Sequence, residues 1–517
     1  MKQQTVWVLV VAAAVIMGVQ GMLAPPEKSY KILMLLPISS KSHRNVFMIL
    51  AEGLADRGHK VVMLTSGTEI SNHPNIKEIP YFNSYVISKN ATSSLFNNTP
   101  GNIVKMMAEF LPMVAREVYL LPAVKEIYKR RKEFDLIVVN HRYNEVVYPF
   151  THEVPFITLS AREIEPSQSA VMGNVINPTH FVKFDSHFLV LAWRRFSNLI
   201  QQLHMDIKWR YWTVIPLVQK EISSLFPELP SLLELEKNSS LTLLNTHFSM
   251  GPVLPLLPSQ VEVGAMHCRP GNPLPQELES WITGAGPDGV IYFSLGSVFT
   301  ASTLPACYIE LFVKAFSRVS QRVLWKFEDE LHCLPDNVKI SKWLPQQDIL
   351  AHKNVKVFIT HGGLLSLQES IYHATPLLAF PIFSDQPKNA LFIEEAGLGL
   401  KLAWNELTAD SLLKALDDLH QYSRYKKEVV KISGRIRDQM LPPREVAVFW
   451  TEYVIRHGGA PHLRTSAALS SWIQFLMLDL FFFLLLALLL SIFILRRIVR
   501  TIIGKTSGLD GKKRKKD

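Results

Sequence analysis

Cysteine is scarce. Cys268, Cys307 and Cys333 are the only three in 517 residues, and their wide spacing fits neither a metal-ligand set nor a disulfide framework. A zinc module and a small cross-linked secreted scaffold are thereby excluded. An excess of one charge is missing from most of the chain as well. The formal net charge is +10, but residues 496–517 hold nine Lys/Arg against two Asp, which accounts for +7 of it. A nearly neutral body argues against a nucleic-acid partner. Charged residues make up 19% and hydrophobic ones 48%, so disorder is excluded and large cores are available. The length suggests two or three domains. No internal repeat rises above a loose likeness of two halves.

The two longest apolar runs lie at the ends. Lys2, the run Val6 to Val19 and small residues near Gly21 read as a secretory signal over residues 1–22, with a retained anchor as the alternative. Trp472 to Leu495 holds one acid, Asp479, and is long enough to span a bilayer; the span is placed at 471–495. Arg496, Arg497 and Arg500 then mark a cytoplasmic side, leaving 496–517 as a basic cytoplasmic tail. A single-pass type I protein with a luminal body is expected. Lys513 and Lys515, fifth and third from the end, resemble a dilysine retrieval signal for the endoplasmic reticulum; attraction to lipid headgroups is the plainer reading. Asn90, Asn97 and Asn238 begin glycosylation sequons.

Between these ends the pattern alternates strand and helix. KILMLLP (Lys31 to Pro37) reads as a buried parallel strand, Arg44 to Arg57 as a helix closed by Gly58, and KVVMLT (Lys60 to Thr65) as the next strand. His59, just past the helix, is expected to be solvated. FDLIVV (Phe134 to Val139) and PFITL (Pro155 to Leu159) continue the series, making 23–250 a first domain. The aromatic-rich stretch 183–216, with Trp193, Trp209 and Trp212, reads either as ordinary core helices or as a surface for lipophilic molecules or membrane. A Pro-rich linker (251–286) leads into a second βα series (287–440), with strands at Gly289 to Leu295, Arg322 to Phe327, Val355 to Thr360 and Leu377 to Pro381. Residues 441–470 close the body before the span. The fold class is α/β, with strands in parallel sheets.

The most informative stretch is Val357 to Gln386, VFITHGGLLSLQESIYHATPLLAFPIFSDQ. An apolar strand breaks at His361-Gly362-Gly363, a helix follows, and a second strand ends at Ser384-Asp385-Gln386. A helix N-terminus presents unpaired N–H groups and the positive end of its dipole, and glycines let backbone approach an anion closely. Glu369, one to two turns in, could accept from ribose hydroxyls, and Asp385 and Gln386 fall at a strand end where open α/β sheets bind ligands. The same triplet recurs at His457-Gly458-Gly459, but there it follows a helical run and reads as a C-cap.

The full string, with H-G-G, Glu369, Pro376 and Pro381, then Asp385-Gln386, resembles the signature of the UDP-glucuronosyltransferase family. The resemblance covers almost the whole chain, including Leu274 to Ile282 (LPQELESWI) and His462-Leu463-Arg464. It implies the GT-B fold, two Rossmann-like domains facing a cleft, the first for acceptor and the second for UDP-sugar. It implies inverting transfer of a glucuronosyl or glucosyl group from a UDP-sugar to a hydroxyl of small lipophilic acceptors, with no metal and no cofactor beyond the donor. The absence of any D-x-D sequence disfavours the metal-bridged architecture. By the same resemblance, Trp343 stacks on uracil and Gln346 bonds base or ribose. His361, Gly362, Gly363, Ser366 and the second turn Gly296-Ser297 receive the diphosphate. Asp385 and Gln386 hold sugar hydroxyls, and Lys388 could favour a carboxylate-bearing sugar. Where many relatives carry Asn-Gly or Asn-Ser, this chain has Leu365-Ser366, an invertebrate-like variant that points weakly to UDP-glucose.

His43 matches the family's catalytic base, placed where a first strand feeds a helix N-terminus that disfavours imidazolium. Relatives pair that histidine with an acid; here the matching residue is Asn140. An amide orients a ring but cannot stabilise its cation by charge, and the corresponding swap in a serine-protease triad costs on the order of 10⁴ in turnover. Three outcomes stay open: Glu145 substitutes from the same loop, the acceptor is acidic enough to need less help, or the protein is slow or silent. The competing readings are a weakened UDP-sugar-binding partner of active relatives, as homo- or hetero-oligomer, and a biosynthetic enzyme acting on a lipid acceptor.

Overall fold

The computed structural model describes residues 23–66, 71–81, 100–174, 188–297, 299 and 301–513. The expected leader, Asn90, Asn97 and Lys515 lie outside them, and of Lys513 only the backbone is described.

Two parallel sheets carry the chain. The first holds seven strands in the order β3-β2-β1-β4-β5-β6-β7: β1 Lys31–Leu36, β2 Lys60–Ser66, β3 Ile76–Tyr81, β4 Leu136–Asn140, β5 Phe156–Ser160, β6 Ser239–Leu244 and β7 Gln260–Glu262. Aliphatic runs make such strands because both faces are covered. Along β1 the side chains alternate: Ile32, Met34 and Leu36 enter one core, Leu33 and Leu35 the other. The first core contains helix α1 (Lys41–Asp56); the second contains α2 (Pro100–Val118) and α3 (Val214–Leu225). Strand β7 lies inside the stretch read as linker, so the first sheet extends past residue 250. Three residues flanked by prolines carry too little periodicity to mark a strand.

The second sheet holds β8 Val290–Ser294, β9 Arg322–Lys326, β10 Val338–Ser341, β11 Val355–Thr360, β12 Leu377–Ala379 and β13 Gly399–Lys401, in the order β10-β9-β8-β11-β12-β13. Helices α4 (Leu364–Tyr372) and α5 (Gln386–Glu395) follow β11 and β12. Each sheet reverses its strand order once, between β1 and β4 and between β8 and β11. Open α/β sheets bind ligands at the carboxyl ends beside such switch points. The register pairs Leu35 with Val139 in one sheet and Thr360 with Ser294 in the other, so each pair of strands ends level.

Helix α6 (Pro443–Arg456) returns to the first domain and packs on α1. There His59 corrects the expectation of a solvated residue: it is fully buried. Its Nδ1 accepts from the Tyr30 amide at 3.1 Å, so the proton sits on Nε2, which donates to Glu452 at 2.9 Å. Arg57 adds contacts of 2.5 and 3.0 Å to the same carboxylate. Burial would raise that carboxyl, but the hydrogen bonds from His59 and Arg57 pull it down to about 2.

The aromatic stretch divides. Arg210 is buried against Glu236, whereas Trp193 (68% exposed) and Trp212 (67%) face outward, so this is not an ordinary core segment. Trp472–Phe475 forms a separate short helix, and Met477 adopts a left-handed conformation before α7 (Leu478–Lys513). Leu478–Ile502, 25 residues with mean hydropathy 2.9 and no buried share, is long and apolar enough to cross a membrane. The apolar stretch therefore starts and ends seven residues later than the 471–495 expected.

Candidate active site

The loops that leave β8 and β11 at the switch point form one wall. Gly296 and Gly362 take positive φ, 86° and 79°, which turn the chain sharply at both strand ends. The imidazole of His361 fills the space the glycines leave. A Cβ on Gly296 would stand 2.6 Å from its Cε1, and one on Gly363 would stand 2.5 Å from its Nε2. Gly363 begins α4 without a side-chain cap, so the helix end offers its own N–H groups and dipole beside that ring. Burial keeps His361 neutral: it pushes the ring down to about 4, with Lys326 acting in the same direction and Asp385 against. Ser297 is exposed at the end of the β8 loop.

Behind this wall lies a cluster of polar groups hydrogen-bonded through Gln346. Gln346 accepts from the Tyr292 hydroxyl at 3.2 Å and donates to Ser366 at 3.0 Å and Glu369 at 2.5 Å. Burial pushes Glu369 up to about 7, against the hydrogen bond from Gln346 and the charge of Arg269. Trp343 stands apart, 55% exposed, with the Lys41 ammonium 3.4 Å from its ring centroid. Lys41 opens α1, so this cation–π contact joins the two domains.

Further bonds close the cleft. Arg162, just beyond β5, donates to Ser384 at 3.1 Å and lies 3.7 Å from Asp385. Asp385 holds Asn389 at 2.9 Å, and Asn389 also binds the Gly362 carbonyl at 2.9 Å, tying α5 to the β11 loop. Gln386 is buried, and its side-chain oxygen accepts from the Ile382 and Phe383 amides at 2.8 and 3.0 Å; it shapes the loop under Asp385. Lys388 pairs with Glu163 across the cleft, which occupies the cation assigned to a sugar carboxylate.

His43 lies on the opposite wall, in the first turn of α1. Burial lowers its ring to about 4, and the charges that face it are Arg162, Asp385 and Arg142. Its Nδ1 is 2.6 Å from the Ser40 hydroxyl, and among the described residues no hydrogen bond reaches its Nε2. Asn140 ends β4, and its amide donates to the Ile38 carbonyl at 3.4 Å rather than to the His43 ring. Glu145 is no substitute: it is buried, accepts from Trp209 Nε1 at 2.8 Å, and faces Arg210 and Glu236. The neighbouring His141 is structural. Its Nε2 accepts from the Glu165 amide at 3.2 Å, so Nδ1–H donates to Thr158 at 3.2 Å.

The family model for UDP-glucoronosyl and UDP-glucosyl transferases matches residues 31–514. The chain belongs to this family. UDP-glucosyltransferase 2 of Dactylopius coccus is 33% identical to it, over 94% of this chain and 96% of that protein. UDP-glucuronosyltransferase 2B19 of Macaca fascicularis is 29% identical over 88% and 90%. The crystal structure of Os79 from O. sativa, in complex with U2F and trichothecene, covers 81% of this chain and 99% of its own at a TM-score of 0.55 and 14% identity. That likeness establishes the GT-B fold, as two parallel sheets facing a cleft require.

In this UDP-glycosyltransferase the two walls meet. Of the loops named from the sequence, those at 296 and 361 pack on each other, Asp385 faces both His43 and His361, and Lys41 at the start of α1 covers Trp343, while Asn140 is tied only to the Ile38 carbonyl. Ser40, Tyr292, Arg162 and Asn389 were not legible beforehand. Arg162 had one available signal, its place just past the carboxyl end of a strand, and Ser40 had another, a serine at the N-cap position three residues before His43; Tyr292 and Asn389 are ordinary residue types with no spacing to mark them. Among the described residues no group of His, Cys, Asp or Glu could hold a metal ion.

Proposed function

We propose that this glycosyltransferase moves a glucuronosyl or glucosyl group from a UDP-sugar to the hydroxyl of a small lipophilic acceptor, with inversion at the anomeric carbon and no cofactor besides the donor. One observation carries the reading: Arg162 of the first domain donates to Ser384 at 3.1 Å and lies 3.7 Å from Asp385, so the wall that bears His43 meets the wall that bears His361 at the residue the signature assigns to sugar hydroxyls. Donor chemistry fits the second domain. Trp343 offers a face to uracil, Gln346 and Glu369 offer groups to ribose, and His361 with the α4 amides offers donors to the diphosphate. Such preorganised donors stabilise the departing UDP without a metal. Asp385 reaches the sugar hydroxyls. His43 Nε2 takes the acceptor proton while that oxygen attacks the anomeric carbon and the bond to UDP breaks, its electron pair leaving on the diphosphate.

The exposed face bearing Trp193 and Trp212, with the apolar span, supports acceptors that arrive from a membrane. A luminal body at the endoplasmic reticulum, with the dilysine tail outside and glycan on exposed Asn238, completes the reading. A second reading, a UDP-sugar binder without turnover, is favoured by the direction of the Asn140 amide. Detergent-solubilised full chain, given UDP-glucuronate, UDP-glucose, UDP-galactose or UDP-N-acetylglucosamine with a panel of phenols, separates the two. Product from at least one donor, lost in His43→Ala, is expected; donor binding with no product above that variant would leave only the binder.

A further inference from the structure

The acid partner of the base is missing, and neither Asn140 nor Glu145 replaces it. The residue that does touch the ring is Ser40. Its Oγ lies 2.6 Å from His43 Nδ1, 3.3 Å from the His43 amide, which it caps, and 2.9 Å from the Ser42 Oγ. A hydroxyl carries one proton and two lone pairs. If Nε2 is to accept a proton, Nδ1 must already bear one. Ser40 then receives two N–H donors, which fills both lone pairs, and its own proton has one place to go, the Ser42 hydroxyl. Reverse the chain and Ser40 donates to Nδ1; the ring proton moves to Nε2, and the base is lost.

We infer that Ser40, polarised by Ser42, is the positioning residue for His43: an uncharged hydroxyl relay that fixes the Nδ1–H tautomer where relatives use a carboxylate. This rests on His43 acting as the base. The relay orients the ring and receives Nδ1–H throughout the reaction, but it adds no negative charge as the imidazolium forms. Among the described residues Asp385 is the acid that faces the ring, and Arg142 and Arg162 oppose it. A weakly supported cation makes proton transfer lag, so turnover favours acceptors whose hydroxyl is itself acidic, phenols above aliphatic alcohols.

The test uses full-length protein in detergent, 4-nitrophenol as acceptor, and whichever of the four UDP-sugars supports turnover. Ser40→Gly removes the hydroxyl while keeping a residue nearly as good at a helix N-cap. Its kcat is expected to fall about 10- to 100-fold with donor KM unchanged, because a misoriented base harms the transition state and not donor binding. Ser40→Thr keeps both hydroxyl and cap and is expected to stay within about threefold of wild type. Ser40→Asp keeps the cap and supplies the missing charge; the acid limb of kcat/KM for acceptor is expected to move up by about one pH unit, since an adjacent carboxylate favours imidazolium. Ser40→Gly with wild-type kcat, while His43→Ala is dead, would overturn the relay and leave the base standing. Equal losses in Ser40→Gly and Ser40→Thr would overturn it too, by showing that local packing matters and not the hydroxyl. Full turnover in His43→Ala would remove the base reading and the relay together.

Discussion

Gly363→Ala offers a sharp steric test of the diphosphate wall. The position has φ −63° and ψ 142°, an ordinary extended conformation, so alanine brings no backbone strain. The new methyl would instead sit 2.5 Å from His361 Nε2 and 2.9 Å from Cε1. Ordinary contact needs about 3.5 Å, so the ring must retreat by about 1 Å. It cannot turn toward β8, because Gly296 already abuts the same Cε1–Nε2 edge. A displacement of about 1 Å in a group that positions or stabilises the reacting centre costs on the order of 10²-fold, or ~2.7 kcal/mol of barrier. Loss of glycine at the N-cap costs less, under about 1 kcal/mol of stability. The assay is paired: calorimetric titration with UDP, and turnover at saturating acceptor. Gly434→Ala is the control, since nothing lies within 4 Å of its added Cβ and the site is helical. A Gly363→Ala protein that melts like wild type and keeps UDP affinity and turnover within about twofold would refute the placing of His361 at the leaving group.

Three other outcomes follow from the same geometry. Trp343→Ala should raise the donor KM roughly 10-fold, with kcat little changed, because stacking on a base contributes ~1–3 kcal/mol in ground and transition state alike; an unchanged KM would mean that uracil sits elsewhere. His43 must be neutral to act, and its ring is lowered to about 4, so kcat/KM for acceptor at saturating donor should fall only as pH drops toward about 4; a limb near an ordinary histidine value of about 6.5 would contradict the desolvation of this half-buried ring. Glu452 has a folded value of about 2 against 4.5, so its stabilisation is fully present above 4.5 and is lost as pH falls toward about 2. Glu452→Gln should therefore lose roughly 2–3 kcal/mol at neutral pH, read as a lower Tm, and the gap to wild type should close in acid.

Much of the architecture was legible because it is written in local patterns. Aliphatic runs bounded by turns gave β1, β2, β4, β8 and β11, and the β11 loop could be singled out because two glycines follow a strand and precede a helix. The recurrence at His457 shows why context decides: there Gly458 and Gly459 take positive φ after α6, as a C-cap requires. Strand β7 escaped, since three residues beside prolines form a strand only when β6 lies next to them.

The side-chain partners were a different matter. Sequence places His43, Asn140 and Glu145 near one another but says nothing of where each side chain turns. Packing sends the Asn140 amide to a carbonyl, Glu145 to Trp209, and His59 from expected solvent into a buried bond with Glu452, nearly four hundred residues away. Local pattern by itself determined the family signature, eight of the thirteen strands among the described residues and the presence of an apolar span near the end, because these depend on neighbours along the chain, whereas the order of strands in each sheet was set by tertiary pairing. Only the tertiary structure decided that Arg162 meets Asp385 and that Lys41 covers Trp343, because contacts between distant segments form when two separate cores bring their loops together.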